Sequence, residues 1–338
     1  MMLATRMRSA RISCGMTLEI LSSRTGIPTS RLSKIENGLL DVSDDDVEKV
    51  ADATSIPVGF FIDAPLYQAS GGRFRKQSSA PKKKIEELAA NTCLIAEAID
   101  EAAMAYRLPK PTITPLGGPI SDDIIAEAAQ KTRSEMGLSD LGPVGNVTRA
   151  CERSGVAVAK IPMPNNDRKL SAYSVWADLG ERTPLVVVST SLPGDVLRGT
   201  IAHEIGHLVL HTRNPSIDAK DAEPQAWLFA NHLLFPRENA ELAFASEPVT
   251  LRRLERLKVA YGVSISFLLS CCKSYGIIDD ERNRSLHKQY SARGWYANEP
   301  VAVGIERPSL VPQVLRKMNQ DGMTIGMQSF LAAKLMFA

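Results

Sequence analysis

The stretch Thr200-Ile201-Ala202-His203-Glu204-Ile205-Gly206-His207-Leu208-Val209-Leu210-His211 constrains this chain more than any other. It holds no proline, and its apolar residues recur at helical spacing, which predicts a helix. On a helix, residues four apart share a face. His203 and His207 therefore offer two imidazoles to one point, and Glu204 sits one step round. Ile201, Ile205, Leu208 and Val209 make the helix at least half buried, and buried His and Glu need partners. A metal ion is one partner that serves all three. His-Glu-x-x-His is the pattern of two zinc ligands and a general base. Catalytic zinc takes three protein ligands and a water whose pKa it lowers to about 7. Glu204 then fits as the base that takes the water's proton and passes it to a leaving amine.

The third ligand lies elsewhere. A pattern ending G-x-x-H would need Gly at 210 and His at 213, where this chain has Leu210 and Arg213. His211 follows His207 by one turn. Three ligands in line along a straight helix cannot close a tetrahedron, so His211 reads as a neighbour of the ligands or as helix surface. Glu223, in Asp221-Ala-Glu-Pro-Gln-Ala-Trp-Leu-Phe-Ala230, is the better candidate. Pro224 predicts the first turn of a second helix, where an acid meets the positive end of the dipole.

These residues resemble the ImmA/IrrE metallopeptidases. The quoted run Ala202–His211, then Glu223-Pro-Gln-Ala-Trp-Leu-Phe-Ala230 and Leu233-Leu-Phe-Pro236, follow that family's pattern. The resemblance implies a zincin-like fold, zinc on His203, His207 and Glu223, and Glu204 as the catalytic base. Two departures are Phe235, where the family usually has Met, and the short interval between His207 and Glu223.

Near the N-terminus, short helices alternate with turn signals. Leu3–Ser13 ends at Gly15. Thr17 caps Leu18–Thr25, Gly26-Ile-Pro28 turns the chain, Thr29–Glu36 closes at Asn37-Gly38, and Ser43 caps Asp44–Thr54 ahead of a short segment, 57–62. Two short helices on a tight glycine turn make a helix-turn-helix. Gly26-Ile-Pro-Thr-Ser-Arg-Leu-Ser-Lys-Ile-Glu-Asn-Gly38 is similar to the lambda-repressor-like XRE family. That resemblance implies a third helix in the major groove, with Thr29, Ser30, Arg31, Ser33 and Lys34 outward and Leu32 and Ile35 inward. Arg and Lys read guanine edges, and Ser and Thr bind phosphates. Asp41, Asp44, Asp45, Asp46 and Glu48 follow the reading helix and make its far side acidic.

Serine, glycine and basic residues then mark a linker, from Ala69 through Lys82-Lys-Lys84. Helices are expected at 85–108, 121–136 and 145–154. Strands are expected at 156–161, 170–176 and 185–188. Strands ahead of a zinc helix match a zincin-like layout, and Leu170–Trp176 is the candidate edge for an extended substrate. Leu251–Tyr261 and Ile265–Tyr275 form a helix pair. It resembles a second helix-turn-helix, but it reads better as a buttress. A helix is expected near 311–319, and apolar 327–338 is expected to dock.

The expected fold is mainly α with an α+β part. It divides into a five-helix domain over 1–65, a basic linker over 66–84, a zincin-like α+β domain over 85–245 and a helical region over 246–338. At 338 residues the chain has room for two domains or a little more. A net charge of +2 gives no global basic field, so a nucleic-acid site must be local. Cys14, Cys93, Cys151, Cys271 and Cys272 are odd in number and make no disulfide framework, so a cytoplasmic setting is expected. No signal peptide and no membrane span are expected. The expected cofactor is Zn2+. The expected partners are a double-stranded DNA operator, a protein substrate of the repressor kind and a second copy in a homodimer. Two functions compete. One is a DNA-binding regulator whose zinc endopeptidase cuts a repressor on a signal. The other is a transcription factor whose peptidase-like domain senses a ligand or partner and cuts nothing.

Overall fold

Apolar periodicity and caps account for most of the elements. The computed structural model describes residues 2–62, 82–162, 172–176, 183–214 and 216–322. The first helices are α1 (Met2–Ser13), α2 (Leu18–Thr25), α3 (Thr29–Glu36), α4 (Asp44–Thr54) and the single turn α5 (Gly59–Ile62). Thr17 caps α2 by accepting from the Ile20 N–H at 3.2 Å. Ser43 caps α4 in a capping box with Asp46. Arg11 fixes α1 to the end of α3. Its guanidinium donates to both Glu36 oxygens at 2.6 and 2.7 Å and to the Met16 carbonyl at 2.9 Å.

The chain forms two compact units, each discontinuous in sequence. The first holds residues 1–108, 159–190 and 310–338. In it α6 (Lys82–Ala105) packs on α1, and Arg6 of α1 donates to Glu97 at 2.6 Å. The helix α15 (Leu310–Gln320) lies on α6, with Val314 and Met318 against Ala102. Two strands belong here, β2 (Ala172–Val175) and β3 (Leu185–Ser189). They pair antiparallel, with Ala172 opposite Val188 and Val175 opposite Leu185. A third, β1 (Ala157–Ile161), gives the sheet order β1-β3-β2, so among the described residues β2 is an edge strand as expected and β3 is central. All five residues of β3 are buried, which explains its unbroken apolar run.

The second unit holds residues 109–158 and 191–309. Its helices are α7 (Asp122–Glu135), α8 (Val147–Arg153), α9 (Gly194–Leu210), α10 (Ala219–Leu234), α11 (Arg237–Phe244), α12 (Leu251–Tyr261), α13 (Ile265–Ser274) and α14 (Asp280–Ala292). The core helix α9 is buried along nearly all of its length. It lies against α10, with α7 and α8 also packed on it. Arg133 of α7 is buried and donates to the Leu233 carbonyl at the end of α10. The segment after α14 runs along this unit on acidic anchors. Glu299 accepts from the Ile265 and Ser266 N–H groups at 2.7 and 3.0 Å, capping α13, and from Lys258 at 2.9 Å. Glu306 accepts from the Val147 and Thr148 N–H groups at 3.0 and 2.7 Å, capping α8, and from Arg198 at 2.5 Å. Glu152 in turn accepts from the Ser309 N–H and hydroxyl at 2.6 and 2.8 Å. Between these anchors, a Cβ on Gly194 would stand 2.4 Å from the Val303 carbonyl oxygen.

Several expectations change. Pro224 lies inside α10, not in its first turn, because the helix already starts at Ala219 behind Asp218. The proline has no N–H to donate to the Lys220 carbonyl. Lys82–Lys84 open α6 instead of extending the linker. Residues 66–81 of that linker, and the apolar stretch 327–338, lie outside the described residues. The α12–α13 pair is a buttress: Phe267, Leu268, Leu269, Cys271 and Cys272 of α13 are buried, and Glu299 takes its first N–H groups. Among the described residues no helix is long and apolar enough to cross a membrane. The five cysteines form no disulfide.

Candidate functional site

The site is built where α9 and α10 come closest. Gly206 makes that approach: a Cβ there would lie 3.0 Å from the Ala226 carbonyl oxygen and 3.1 Å from the Phe229 ring. One turn of α10 before Ala226 stands Glu223, and on either side of Gly206 along α9 stand His203 and His207. The spacing in sequence that looked short suffices because α10 starts at Ala219 and packs directly on α9.

The three expected ligands converge. His203 Nε2 and His207 Nε2 are 3.2 Å apart, and Glu223 Oε2 is 3.5 Å from His203 Nε2. One donor atom from each of the three residues lies within 4.8 Å of the others. Two nitrogens each about 2.0–2.1 Å from a tetrahedral zinc stand about 3.3 Å from one another, so the donor set and its spacing fit this ion. Glu204, next on α9, is 5% exposed and His203 is 4% exposed. The carboxylate and the imidazole are thus withdrawn from bulk water, where their electrostatic interactions strengthen.

Three further side chains surround the cluster, and the sequence reading assigned them no role or only a loose one. His207 Nδ1 faces His211 Nδ1 at 2.7 Å, and His211 Nε2 faces Gln225 Oε1 at 3.0 Å. His211 is buried at the C-terminal end of α9. Trp227 lays its ring 4.2 Å from the His203 ring, tilted by 37°, while remaining 41% exposed. Helical spacing carried a signal for Trp227, four residues after Glu223 on α10, but none for Gln225, two residues after it.

On the first unit, α3 buries Leu32 and Ile35 and leaves Ser30 and Lys34 exposed, with Thr29, Arg31 and Ser33 half-buried. Arg31 is committed inward as well as outward. Its guanidinium donates to Asp46 at 2.7 and 3.3 Å, although its side chain is 40% exposed. That donor, with Ser43 and against the effect of burial, holds the Asp46 carboxyl below its ordinary range.

Residues 151–271 match the family described as the IrrE N-terminal-like domain, a peptidase family. Residues 7–61 match the helix-turn-helix family. The chain joins a helix-turn-helix domain to an IrrE N-terminal-like domain. The first is a DNA-binding module of the regulatory kind, and the second is metallopeptidase-like. The IrrE N-terminal-like match covers α9 and α10 whole, and with them His203, Glu204, His207 and Glu223. No curated protein matches the chain.

Proposed function

We propose that the protein is a DNA-binding transcriptional regulator whose metallopeptidase-like domain is a zinc endopeptidase that cuts a repressor, its own or a partner's, in response to a signal. The convergence of His203, His207 and Glu223 beside buried Glu204 carries this reading. In this reading His203, His207 and Glu223 hold the metal. A zinc ion held there supplies a Lewis acid and a bound water acidic enough to lose a proton near neutral pH. Glu204 accepts a proton from the attacking water and returns it to the leaving nitrogen. Burial of Glu204 keeps its carboxylate away from competing solvent. Trp227 offers an exposed aromatic wall beside His203 for a substrate side chain.

The DNA contacts belong to α3 in the same proposal. Thr29, Ser30, Ser33 and Lys34 line its outer face, and Arg31 bridges that face to Asp46. The helix opens at Pro28 with no side-chain cap, which suits phosphate approach. We retain the functional division 1–65, 66–84, 85–245 and 246–338, with α6 already begun at Lys82 within the second segment, and a cytoplasmic setting and a homodimer on an operator as parts of this reading.

Glu204→Gln tests it. Volume and metal ligands are kept while the base is lost, so zinc content and operator binding should persist. Peptide-bond cleavage should fall about 10²-fold or more. If wild type and Glu204→Gln regulate a target gene alike under the inducing condition, with no cleaved repressor in either, the domain is a sensor.

A further inference from the structure

His207 uses both ring nitrogens, and the second one leads away from the ligand cluster. Its Nδ1 meets His211 Nδ1 at 2.7 Å, and His211 Nε2 meets Gln225 Oε1 at 3.0 Å. A neutral imidazole has one N–H and one lone pair. The three groups therefore form a chain with two self-consistent directions. Outward, His207 Nδ1–H donates to His211 Nδ1, and His211 Nε2–H donates to Gln225 Oε1. This leaves His207 Nε2 with a bare lone pair at the cluster. Inward, the Gln225 amide is turned over and donates to His211 Nε2, and His211 Nδ1–H donates to His207 Nδ1. His207 Nε2 then carries the proton and points it at His203 Nε2, 3.2 Å away. The inward direction blocks the nitrogen that a cation needs; the outward direction frees it.

We propose that His211 and Gln225 are positioning residues that hold His207 in the tautomer able to bind the metal, with Gln225 as the acceptor that ends the outward chain. The proposal rests on the metal reading above. Partners of this kind on the far nitrogen of a ligating histidine orient the ring and raise its basicity. An amide at 225 can serve both directions. A carboxylate can only accept and so selects the outward one, and an aliphatic side chain serves neither. His211 is 5% exposed, so water is poorly placed to substitute for it.

The test uses the full chain, with zinc affinity measured by competition with a chromophoric chelator. Gln225→Glu should bind zinc as tightly as wild type or more so. Gln225→Leu should bind about 10–100-fold more weakly, with the zinc-free unfolding midpoint unchanged. Long-range 15N couplings in the zinc-loaded wild type should place the His211 proton on Nε2; with five histidines in the chain the spectrum is assignable. A Gln225→Leu affinity equal to wild type overturns the proposal, as does a Gln225→Glu affinity below that of Gln225→Leu, or a His211 proton on Nδ1. If Gln225→Leu fails to fold, the Gln225→Glu affinity and the wild-type couplings still decide. A wild type that takes up no zinc sinks the metal reading and this inference together. A wild type that binds zinc, beside a Gln225→Leu variant that binds it equally, sinks this inference alone.

Discussion

Gly206→Ala puts the close approach of α9 and α10 to a direct test. In a helix interior alanine is favoured over glycine by about 0.5–1 kcal/mol. Propensity alone therefore predicts a stabilised protein. Against it, the new Cβ would stand 3.0 Å from the Ala226 carbonyl oxygen and 3.2 Å from the Ala226 Cα. These are backbone atoms that cannot rotate aside, so α10 must move by a few tenths of an ångström. Overpacking of this kind costs about 1–3 kcal/mol. The packing cost wins, for a net loss of about 0–2.5 kcal/mol. Gly199→Ala is the control on the same helix. Its Cβ would meet the Phe267 ring edge at 3.2 Å, and a ring can tilt, so the propensity gain should largely survive. Urea unfolding of both variants with zinc chelated should rank Gly206→Ala below Gly199→Ala. Zinc affinity should fall only in Gly206→Ala, because Ala226 and Glu223 share a helix. If Gly206→Ala is as stable as Gly199→Ala and holds zinc like wild type, the argument from close approach is wrong.

Three further outcomes are expected. Elemental analysis should find about one zinc per chain in wild type and none in a His203→Ala His207→Ala variant, and unchanged zinc in the variant would remove both residues from the ligand set. Lys34→Ala should weaken operator binding in a gel shift and flatten the slope of log affinity against log salt by about one, as for one lost phosphate contact. Arg31→Ala should cost about 1–3 kcal/mol of DNA affinity if it reads a base and should also lower stability, because it releases Asp46. The Asp46 carboxyl is depressed by its Arg31 hydrogen bond. Its contribution is therefore full above the ordinary carboxylate value and is lost as pH falls below about 4. Asp46→Asn should remove part of the acid destabilisation measured by unfolding between pH 7 and 3, and an unchanged acid slope would refute that assignment.

Much of this was legible because the signals are local. Caps and turns mark α2 to α4 to the residue, and Thr17, Ser43 and Gly26 each act within four positions of the group they serve. The ligands were legible because a helix converts a four-residue interval into a shared face. What escaped depends on distant partners. The helix α9 is buried along nearly all of its length, so no amphipathic stripe marks its full extent. The helix α14 buries only Leu286 and Tyr290, so its apolar period is faint, although Asp279 caps it plainly. The link of His207 to Gln225 joins residues 18 apart in sequence across two helices and has no counterpart in periodicity. Arg31 was legible as an outward residue, but its partner Asp46 lies 15 positions on and read as one acid among several.

The segment after α14, tied down through Glu299 and Glu306, bears on where the gene can be cut. The IrrE N-terminal-like match ends at residue 271, which suggests a natural stop for a trimmed protein. Such a protein would lack Glu299 and Glu306. The Ile265, Ser266, Val147 and Thr148 N–H groups would lose their acceptors, Arg198 would lose its carboxylate, and Lys258 would keep only Asp195. Each buried group stripped of its partner costs about 1–3 kcal/mol. Together these losses rival the whole stability of an ordinary domain, about 5–15 kcal/mol. The recognisable part of the sequence is thus shorter than the part that must be expressed, and the truncation point that preserves the metal helix lies after Ser309, not after Cys271.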